Sequence, residues 1–192
     1  MTRTLIALVL VASPAFAQQQ APFTVVETGQ GFTDLQEAVS SIRMGTGTIR
    51  IAPGVMIPGN RIPPVAAGGL ASLNALAPGR VDWGMGTGFT ARRTLGQRPV
   101  KLADLEEYVR VVRGLLAGGP FKFSGKRFQI DATLNRGADV PVMVSALRSG
   151  SFELAGEITD GAISWLCPAR YLRDVALPAM ERGAQSAGRT RP

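Results

Sequence analysis

Short apolar runs alternate with longer runs of helical periodicity from residue 48 to the end of the chain. The apolar runs are five or six residues long, which is typical of strands buried in a parallel sheet, and each is followed by a helical segment. This alternation predicts an α/β fold with about four βα units. The predicted strands are Thr48–Pro53, Val81–Met85, Pro141–Ser145 and Gly161–Leu166, and the predicted helices are Pro63–Ala77, Leu102–Leu116, Phe152–Ile158 and Pro168–Ala187.

Three segments carry the clearest local patterns. Residues 102–116 place apolar side chains at helical spacing, with Glu106 four residues before Arg110. This pattern predicts an amphipathic helix whose apolar side chains lie in the core. The helix from Pro63 is expected to bury its larger apolar side chains. These are Val65, Leu70, Leu73 and Leu76. Residues 121–130 alternate around Ser124-Gly125, which predicts an inserted β-hairpin.

The first 17 residues have the three parts of a secretory signal peptide. Arg3 is followed by an apolar run from Leu5 to Ala12 and by the small residues Ala15 and Ala17. The run is shorter than the roughly 20 residues of a membrane-spanning helix. The sequence therefore predicts export to the periplasm or the medium, and no stable membrane span.

Residues 18–43 are predicted to form a spacer with a short strand, Phe23–Glu27, and a helix that Thr33 or Asp34 can cap. The strand and the following F-T-D-L-Q-E-A-V run resemble the entry segment of secreted right-handed β-helix proteins, over residues 20–54. The domain is then expected to extend over residues 44–192.

The amino-acid composition excludes several kinds of catalytic and metal site. The chain has 192 residues, a formal charge of +7, one cysteine and no histidine. A Ser-His-Asp or Cys-His triad is therefore excluded, and so is a zinc site of the usual Cys/His kind. The basic residues lack interleaved aromatic side chains, so we expect a small-molecule substrate and no nucleic acid.

Five stretches then carry a family resemblance by their order and spacing. They are IRIAPGV, ASLNALAPGRVDWGMGTG, LADLEEYVRVVRGLLAG, FSGKRFQI and FELAGEITDGAI. Residues 44–192 resemble the luciferase-like monooxygenases and the related deazaflavin-dependent reductases. The resemblance implies a (β/α)8 barrel that uses FMN or the deazaflavin coenzyme F420.

Mapped onto that barrel, the four predicted strands correspond to its third to sixth strands. The chain would thus form a partial (β/α)8 TIM barrel of about four βα units, with two exposed edges. A homo-oligomer is one arrangement that would cover those edges. The family resemblance alone would imply a cytoplasmic enzyme, whereas the leader implies export.

The active site of such barrels lies at the carboxyl ends of the strands. After the first predicted barrel strand, the resemblance places Gly54-Val55 at a cis-peptide bulge against the flavin; an ordinary glycine turn is the alternative. After the second come Gly86, Thr87 and Gly88, where backbone N–H groups and a hydroxyl can approach a ring or a phosphate.

The third candidate segment follows the strand ending at Ser145. Ser145, Ala146, Arg148, Ser149 and Gly150 stand where relatives hold the cofactor phosphate. The glycine-proline pair typical of that place is absent. Arg148 can supply a charge-assisted contact instead, or it can be a surface arginine.

Two further arginines, Arg92 and Arg93, lie in the connection after the second strand and can meet an acidic substrate or cofactor tail, or remain solvated. Cys167 can be a small buried hydrophobe. No catalytic residue and no metal ligand is assigned. The leading interpretation is a truncated oxidoreductase of the luciferase-like class, either active or inactive. The alternatives are an exported non-catalytic protein and a chimera.

Overall fold

The computed structural model describes residues 23–25, 30–32, 49–51 and 56–190, and the account that follows concerns those residues. The chain divides into two compact units, residues 1–54 and residues 55–192. The predicted signal peptide, the predicted capped helix after Thr33 and the pair Gly54-Val55 lie outside the described residues.

The first unit contains three short strands. β1 (Phe23–Val25), β2 (Gly31–Phe32) and β3 (Ile49–Ile51) form an antiparallel sheet in the order β2-β1-β3. β1 confirms the strand predicted from Phe23. β3 confirms a strand within Thr48–Pro53 but corrects its partner, because it pairs antiparallel with β1 rather than parallel with the next strand of a barrel. A three-residue run with alternating polarity carries no signal for strand direction, so the available partner decides it.

The second unit is built on a parallel sheet. β4 (Trp83–Met85), β7 (Val142–Ser145) and β8 (Gly161–Ile163) lie in the order β4-β7-β8. Met56 forms an isolated parallel bridge with Met85 and thus lies at the other edge of β4. An antiparallel hairpin, β5 (Gly119–Ser124) and β6 (Gln129–Leu134), is inserted before β7, as predicted.

One helix precedes the parallel sheet along the chain, and further helices follow each of its strands. The first four are α1 (Pro63–Leu76), α2 (Phe89–Thr94), α3 (Leu102–Leu116) and α4 (Ser149–Ile158). The last helical segment runs from α5 (Ala169–Tyr171) through a π-helical stretch (Leu172–Ala176) into α6 (Leu177–Ser186). The predicted α/β class, a partial barrel sheet with an inserted hairpin, is confirmed.

The core of this unit centres on α3. Its bounds are those predicted, and Leu105, Val109, Val112 and Leu116 are buried, whereas Leu102 is partly exposed. The expected pair between Glu106 and Arg110 is present, with 2.9 Å between Oε1 and Nε. The strongest periodic segment therefore supplies the centre of the fold.

The buried face of α1 differs from the prediction. Leu70 is buried as expected, but Val65 and Leu76 are exposed, while Ala66 and Ala67 face the core. Two alanines let the backbone of α1 approach its neighbours closely, so the small side chains rather than the large ones occupy the interface. A prediction based on side-chain size selects the wrong face in such a case.

The hairpin is fastened to α3 by one carboxylate. Glu107 accepts the backbone N–H groups of Lys126, Arg127 and Phe128 at 2.8–3.2 Å. These bonds, the one from Arg127 first, lower the pKa of Glu107 below its ordinary value. The turn of the hairpin is thus held by an ionised carboxylate at neutral pH.

Ion pairs gather where the parallel strands begin. Asp160 accepts the backbone N–H of Val142 at 2.9 Å and pairs with Arg113 of α3 at 2.8 Å and with Arg189 at 3.6 Å. In barrels of this kind, the end at which strands begin is associated with stability rather than catalysis. We therefore assign this cluster a structural role.

No helix in the described part of the chain is long and apolar enough to cross a membrane.

Candidate functional site

The register of the parallel sheet brings the ends of its three strands to one edge. Met85 lies opposite Val144, and Val144 lies opposite Ala162. The chain therefore leaves β4 at Gly86 and β7 at Ala146 along the same edge of the sheet. Two of the three predicted site segments, 86–88 and 145–150, are thereby brought together.

The segment after β4 is fixed largely by its own backbone. The N–H of Gly86 donates to the carbonyl of Met56 at 3.0 Å, so this amide already has a partner. The carbonyl of Thr87 accepts the N–H of Val100 at 2.9 Å. Within the described residues the Thr87 hydroxyl makes no hydrogen bond, so it can still donate to a ligand.

Gly88 has a structural reason to be glycine. Its φ is +70°, in the left-handed region, and a Cβ there would lie 2.7 Å from Cδ1 of Ile57. Gly88 also stands immediately before α2. Its predicted role in cofactor binding stays a prediction, and the packing against Ile57 accounts for the residue without it.

The segment after β7 leads into α4. Ser145 is half-buried and Ala146 is buried, and the N–H of Ala146 donates to the carbonyl of Ile163 at 2.9 Å. The Ser151 hydroxyl accepts the N–H groups of Leu147 and Arg148 at 3.3 and 3.2 Å. The loop between strand and helix is thus held by backbone and hydroxyl contacts.

The first turn of α4 is open at this edge. Arg148, Ser149 and Gly150 are all exposed, and a Cβ added to Gly150 would meet nothing within 4 Å. The first N–H groups of a helix have no partner within the helix, and they carry the positive end of its dipole. The N–H groups of Ser149 and Gly150 can therefore bind an anion.

Arg92 and Arg93 lie on α2, in the connection that leaves the edge after Gly88. Nε of Arg92 donates to the carbonyl of Arg98 at 2.6 Å. The guanidinium carbon of Arg93 lies 4.2 Å from the centre of the Phe89 ring. Both arginines are therefore in the strand-end region, but each already has a contact within its own loop.

Sequence analysis did not select the residues that follow β8. Trp165 and Leu166 are exposed, and Leu166 has a φ of +53°, the one positive value among the described non-glycine residues. The hydroxyl of Tyr171 donates to the carbonyl of Leu147 at 3.1 Å, which joins this region to the loop after β7. Cys167 is half-buried, with Sγ 3.6 Å from the Trp165 carbonyl oxygen. Trp165 and Leu166 were predicted as the end of the strand Gly161–Leu166, but the strand ends at Ile163, so both residues belong to the loop that follows it.

The strand ends offer hydroxyl, amide and guanidinium groups, and the segments 86–88, 145–150 and 164–167 contain no carboxylate or imidazole. The described residues contain no group of three or more potential metal ligands. A shallow cleft on the hairpin, lined by residues such as Lys122 and Asp131, includes none of the strand-end residues. The site can bind and orient a reactive molecule, but its strand-end segments supply no carboxylate or imidazole that could act as a general base.

Comparison with known proteins gives a consistent result. The model of the luciferase-like monooxygenase family matches residues 28–192. The chain is 31% identical over 169 residues to a 5,10-methylenetetrahydromethanopterin reductase of Methanolobus tindarius, covering 81% of this chain and 49% of the relative. It is 32% identical over 179 residues to an F420-dependent glucose-6-phosphate dehydrogenase of Nakamurella multipartita, covering 88% and 50%.

A solved structure shares the fold. An F420-dependent secondary alcohol dehydrogenase, in complex with an F420-acetone adduct, superimposes with a TM-score of 0.67 at 24% identity, over 86% of this chain and 53% of that one. The chain spans about half the length of the curated relatives it matches. The similarity thus covers nearly all of this chain and one half of a relative.

Proposed function

Since the chain belongs to the luciferase-like monooxygenase family, we propose that it is an oxidoreductase domain that binds a deazaflavin or flavin where β4, β7 and β8 end. The redox chemistry is supplied by that cofactor, which carries a hydride or, as a reduced flavin, reacts with oxygen. The protein's part is to bind the cofactor, orient it and shape the substrate pocket.

One observation carries this proposal. The register Met85–Val144 places the Thr87 hydroxyl and the open first turn of α4 along one edge of the parallel sheet. In barrels, this edge is where active sites are built. The three strand-end segments contain no carboxylate or imidazole. This composition fits a site whose reactive group is a bound cofactor.

The residues at this edge fit the polar parts of such a cofactor. The N–H groups of Ser149 and Gly150 would hold its phosphate, with Arg148 adding a charge-assisted contact. The missing side chain of Gly150 leaves the space that a phosphate oxygen needs, because nothing else lies within 4 Å of that position. Thr87 would donate its hydroxyl hydrogen to the ring system.

A deazaflavin is the cofactor that the similarity favours over FMN. Relatives above 30% identity include an F420-dependent dehydrogenase, which matches 88% of this chain. FMN remains the second candidate, because the family resemblance includes monooxygenases that use it. Both carry a phosphate, so the contacts proposed at α4 serve either one.

Equilibrium binding tests this proposal. We expect F420 to bind the purified full chain with micromolar affinity. FMN, the second candidate, is expected to bind the same site. Both are measured by the change in cofactor fluorescence. Riboflavin, which lacks the phosphate, is the matched control for FMN and should bind about tenfold more weakly, since hydrogen bonds to a charged group contribute ~1.5–3 kcal/mol. The absence of binding for both cofactors at high micromolar concentration would overturn the proposal.

A non-catalytic exported protein is the second candidate. The parallel sheet has three strands in the described residues, whereas the barrel of the family has eight. This candidate predicts a processed N-terminus near Gln18 in the periplasm or the medium. N-terminal sequencing of the protein from its native cell would show either that residue or intact Met1, and intact Met1 in the cytosol excludes export.

A further inference from the structure

The connection between β4 and α3 is strongly and uniformly basic. Between Gly86 and Lys101 the sequence contains four cationic side chains and no carboxylate. The nearest acidic residues along the chain, Asp82 and Asp104, lie outside this segment. The four cations are Arg92, Arg93, Arg98 and Lys101. We call the segment from Gly86 to Lys101 the basic loop.

The basic loop is folded back on itself rather than extended. Its two ends are joined where the N–H of Val100 donates to the carbonyl of Thr87 at 2.9 Å. Two hydrogen bonds close its middle. Nε of Arg92 donates to the carbonyl of Arg98 at 2.6 Å, and the N–H of Gln97 donates to the carbonyl of Arg92 at 2.8 Å. The segment therefore starts and ends beside Thr87, at the edge where the cofactor is proposed to bind.

The charges of the basic loop are not neutralised within the described part of the chain. Several arginines elsewhere pair with carboxylates, as Arg110 does with Glu106 and Arg113 with Asp160. The four cations of the basic loop form no ion pair with a described carboxylate, and three of them are exposed while Arg92 is half-buried. Like charges held in a compact loop repel one another, and an anion that binds among them relieves that repulsion.

We propose that the basic loop binds an anionic group, a carboxylate or a phosphate, of the substrate. The inference rests on the proposed function, because it names the substrate class of the same site. The proposed position of the cofactor phosphate is the first turn of α4, which follows a different strand. Arginine suits this role because its planar guanidinium binds carboxylate and phosphate oxygens in pairs.

The test is a titration of the cofactor-free full chain with inorganic pyrophosphate, followed by amide chemical shifts. We expect shifts in residues 88–101. The double variant Arg93→Gln/Arg98→Gln should bind pyrophosphate about tenfold more weakly, since charge-assisted contacts are lost. Both side chains are exposed, so the variant is expected to fold, and its circular dichroism should match the wild type.

A matched control removes two exposed arginines elsewhere. Arg127→Gln/Arg136→Gln lowers the net charge equally, and both side chains are exposed outside the basic loop. This variant should keep its affinity within about twofold, the spread expected of surface charges remote from a site. An equal loss in both variants, the absence of pyrophosphate binding, or shifts confined to Ser149 and Gly150 would each overturn the proposal.

A second comparison separates a substrate anion from the acidic tail of a deazaflavin. The Arg93→Gln/Arg98→Gln variant is titrated with F420 and with F420 from which the glutamate tail has been removed. A substrate site predicts that both affinities stay as in the wild type. A loss confined to the tailed cofactor assigns the basic loop to the cofactor and overturns the substrate assignment. Because the pyrophosphate titration needs no cofactor, a failure of the proposed function is distinguishable from a failure of this inference.

Discussion

Two glycines at the strand ends show how individual residues can be assigned a role. Gly88 has a left-handed backbone and packs against Ile57, so the fold alone accounts for it. Gly150 has ordinary helical geometry, and its missing side chain leaves open space. Since nothing in the fold requires a glycine at position 150, the proposed phosphate contact is what a substitution there would test.

Gly150→Ala should therefore weaken cofactor binding without destabilising the fold. We expect F420 to bind about tenfold more weakly, because the added methyl group displaces the phosphate from the N–H groups of the first turn. Gly68→Ala is the matched control, since Gly68 also lies in a helix with nothing within 4 Å of a Cβ. Fluorescence titration and urea unfolding of both variants give the two readouts. Equal F420 affinity in the two variants would contradict the assignment of Gly150.

Tyr108 is a second residue whose role can be argued from its surroundings. Its ring is buried between Trp83 and Phe128, with ring centres at 6.3 and 5.7 Å, and its hydroxyl donates to the carbonyl of Arg61 at 2.8 Å. Burial raises the pKa of Tyr108 to about 12. The folded protein thus keeps this phenol protonated at a pH where the unfolded chain ionises it.

The consequence is a loss of stability in alkali that depends on this hydroxyl. Between pH 10 and about 12 the unfolded state releases the proton and the folded state does not, so the free energy of unfolding falls as the pH rises. Tyr108→Phe should lower the stability by ~1 kcal/mol at neutral pH through the lost hydrogen bond. The difference from the wild type should shrink above pH 10. A constant difference, measured by urea unfolding from pH 7 to 11.5, would show that Tyr108 titrates normally.

At the scale of elements, sequence patterns were most informative where one face is strongly periodic. The bounds of α3 and the presence of the hairpin followed from the spacing of apolar and polar positions, whereas the hairpin extends beyond the predicted residues 121–130 to residues 119–134. The buried face of α1 did not follow, because Ala66 and Ala67 rather than Val65 meet the core. The partner of β3 did not follow either, since three residues fit a parallel or an antiparallel sheet equally well.

The crossing of α4 and α6 depends on glycines that the sequence pattern does not reveal. A Cβ on Gly183 would overlap the carbonyl oxygen of Glu153, and a Cβ on Gly156 would overlap the carbonyl oxygen of Met180. The two helices thus meet backbone to backbone. Their contact fixes α4, whose first turn is proposed to hold the cofactor phosphate.

Gly183→Ala should force these helices apart. We expect a loss of about 1–3 kcal/mol in the free energy of unfolding, the usual cost of adding a methyl group to a packed interface. Gly69→Ala adds the same group where nothing lies within 4 Å and should be neutral or stabilising by up to ~1 kcal/mol, as expected for alanine in a helix. Urea unfolding measures both. A Gly183→Ala variant as stable as Gly69→Ala would mean that the helices do not pack this closely.

At the scale of the whole molecule, the second unit holds one arc of the family's barrel. Sequence motifs were enough to place Gly86–Gly88 and Ser145–Gly150 in the candidate site, because each follows a predicted strand. They did not show that the Gly86 amide is already bonded to Met56, or that Trp165 and Leu166 are exposed at the same edge. Such facts depend on which segments lie side by side, and this is decided by tertiary packing.

The edges of this arc are relevant to assembly. Within the described residues β8 has one neighbour, β7, and the side chains of Trp165 and Leu166, which follow it, are exposed. An unpaired strand edge tends to associate with another chain. A homo-oligomer that covers this edge remains a prediction of the account.

The central claim is that the edge formed by the ends of β4, β7 and β8 binds the cofactor. Titration of the isotope-labelled full chain with F420, followed by amide chemical shifts, tests it most directly. We expect saturable shifts in residues 86–88 and 145–150, with little change at the opposite end of the strands around Asp160. The absence of saturable shifts, or shifts confined to residues away from these two segments, would contradict it.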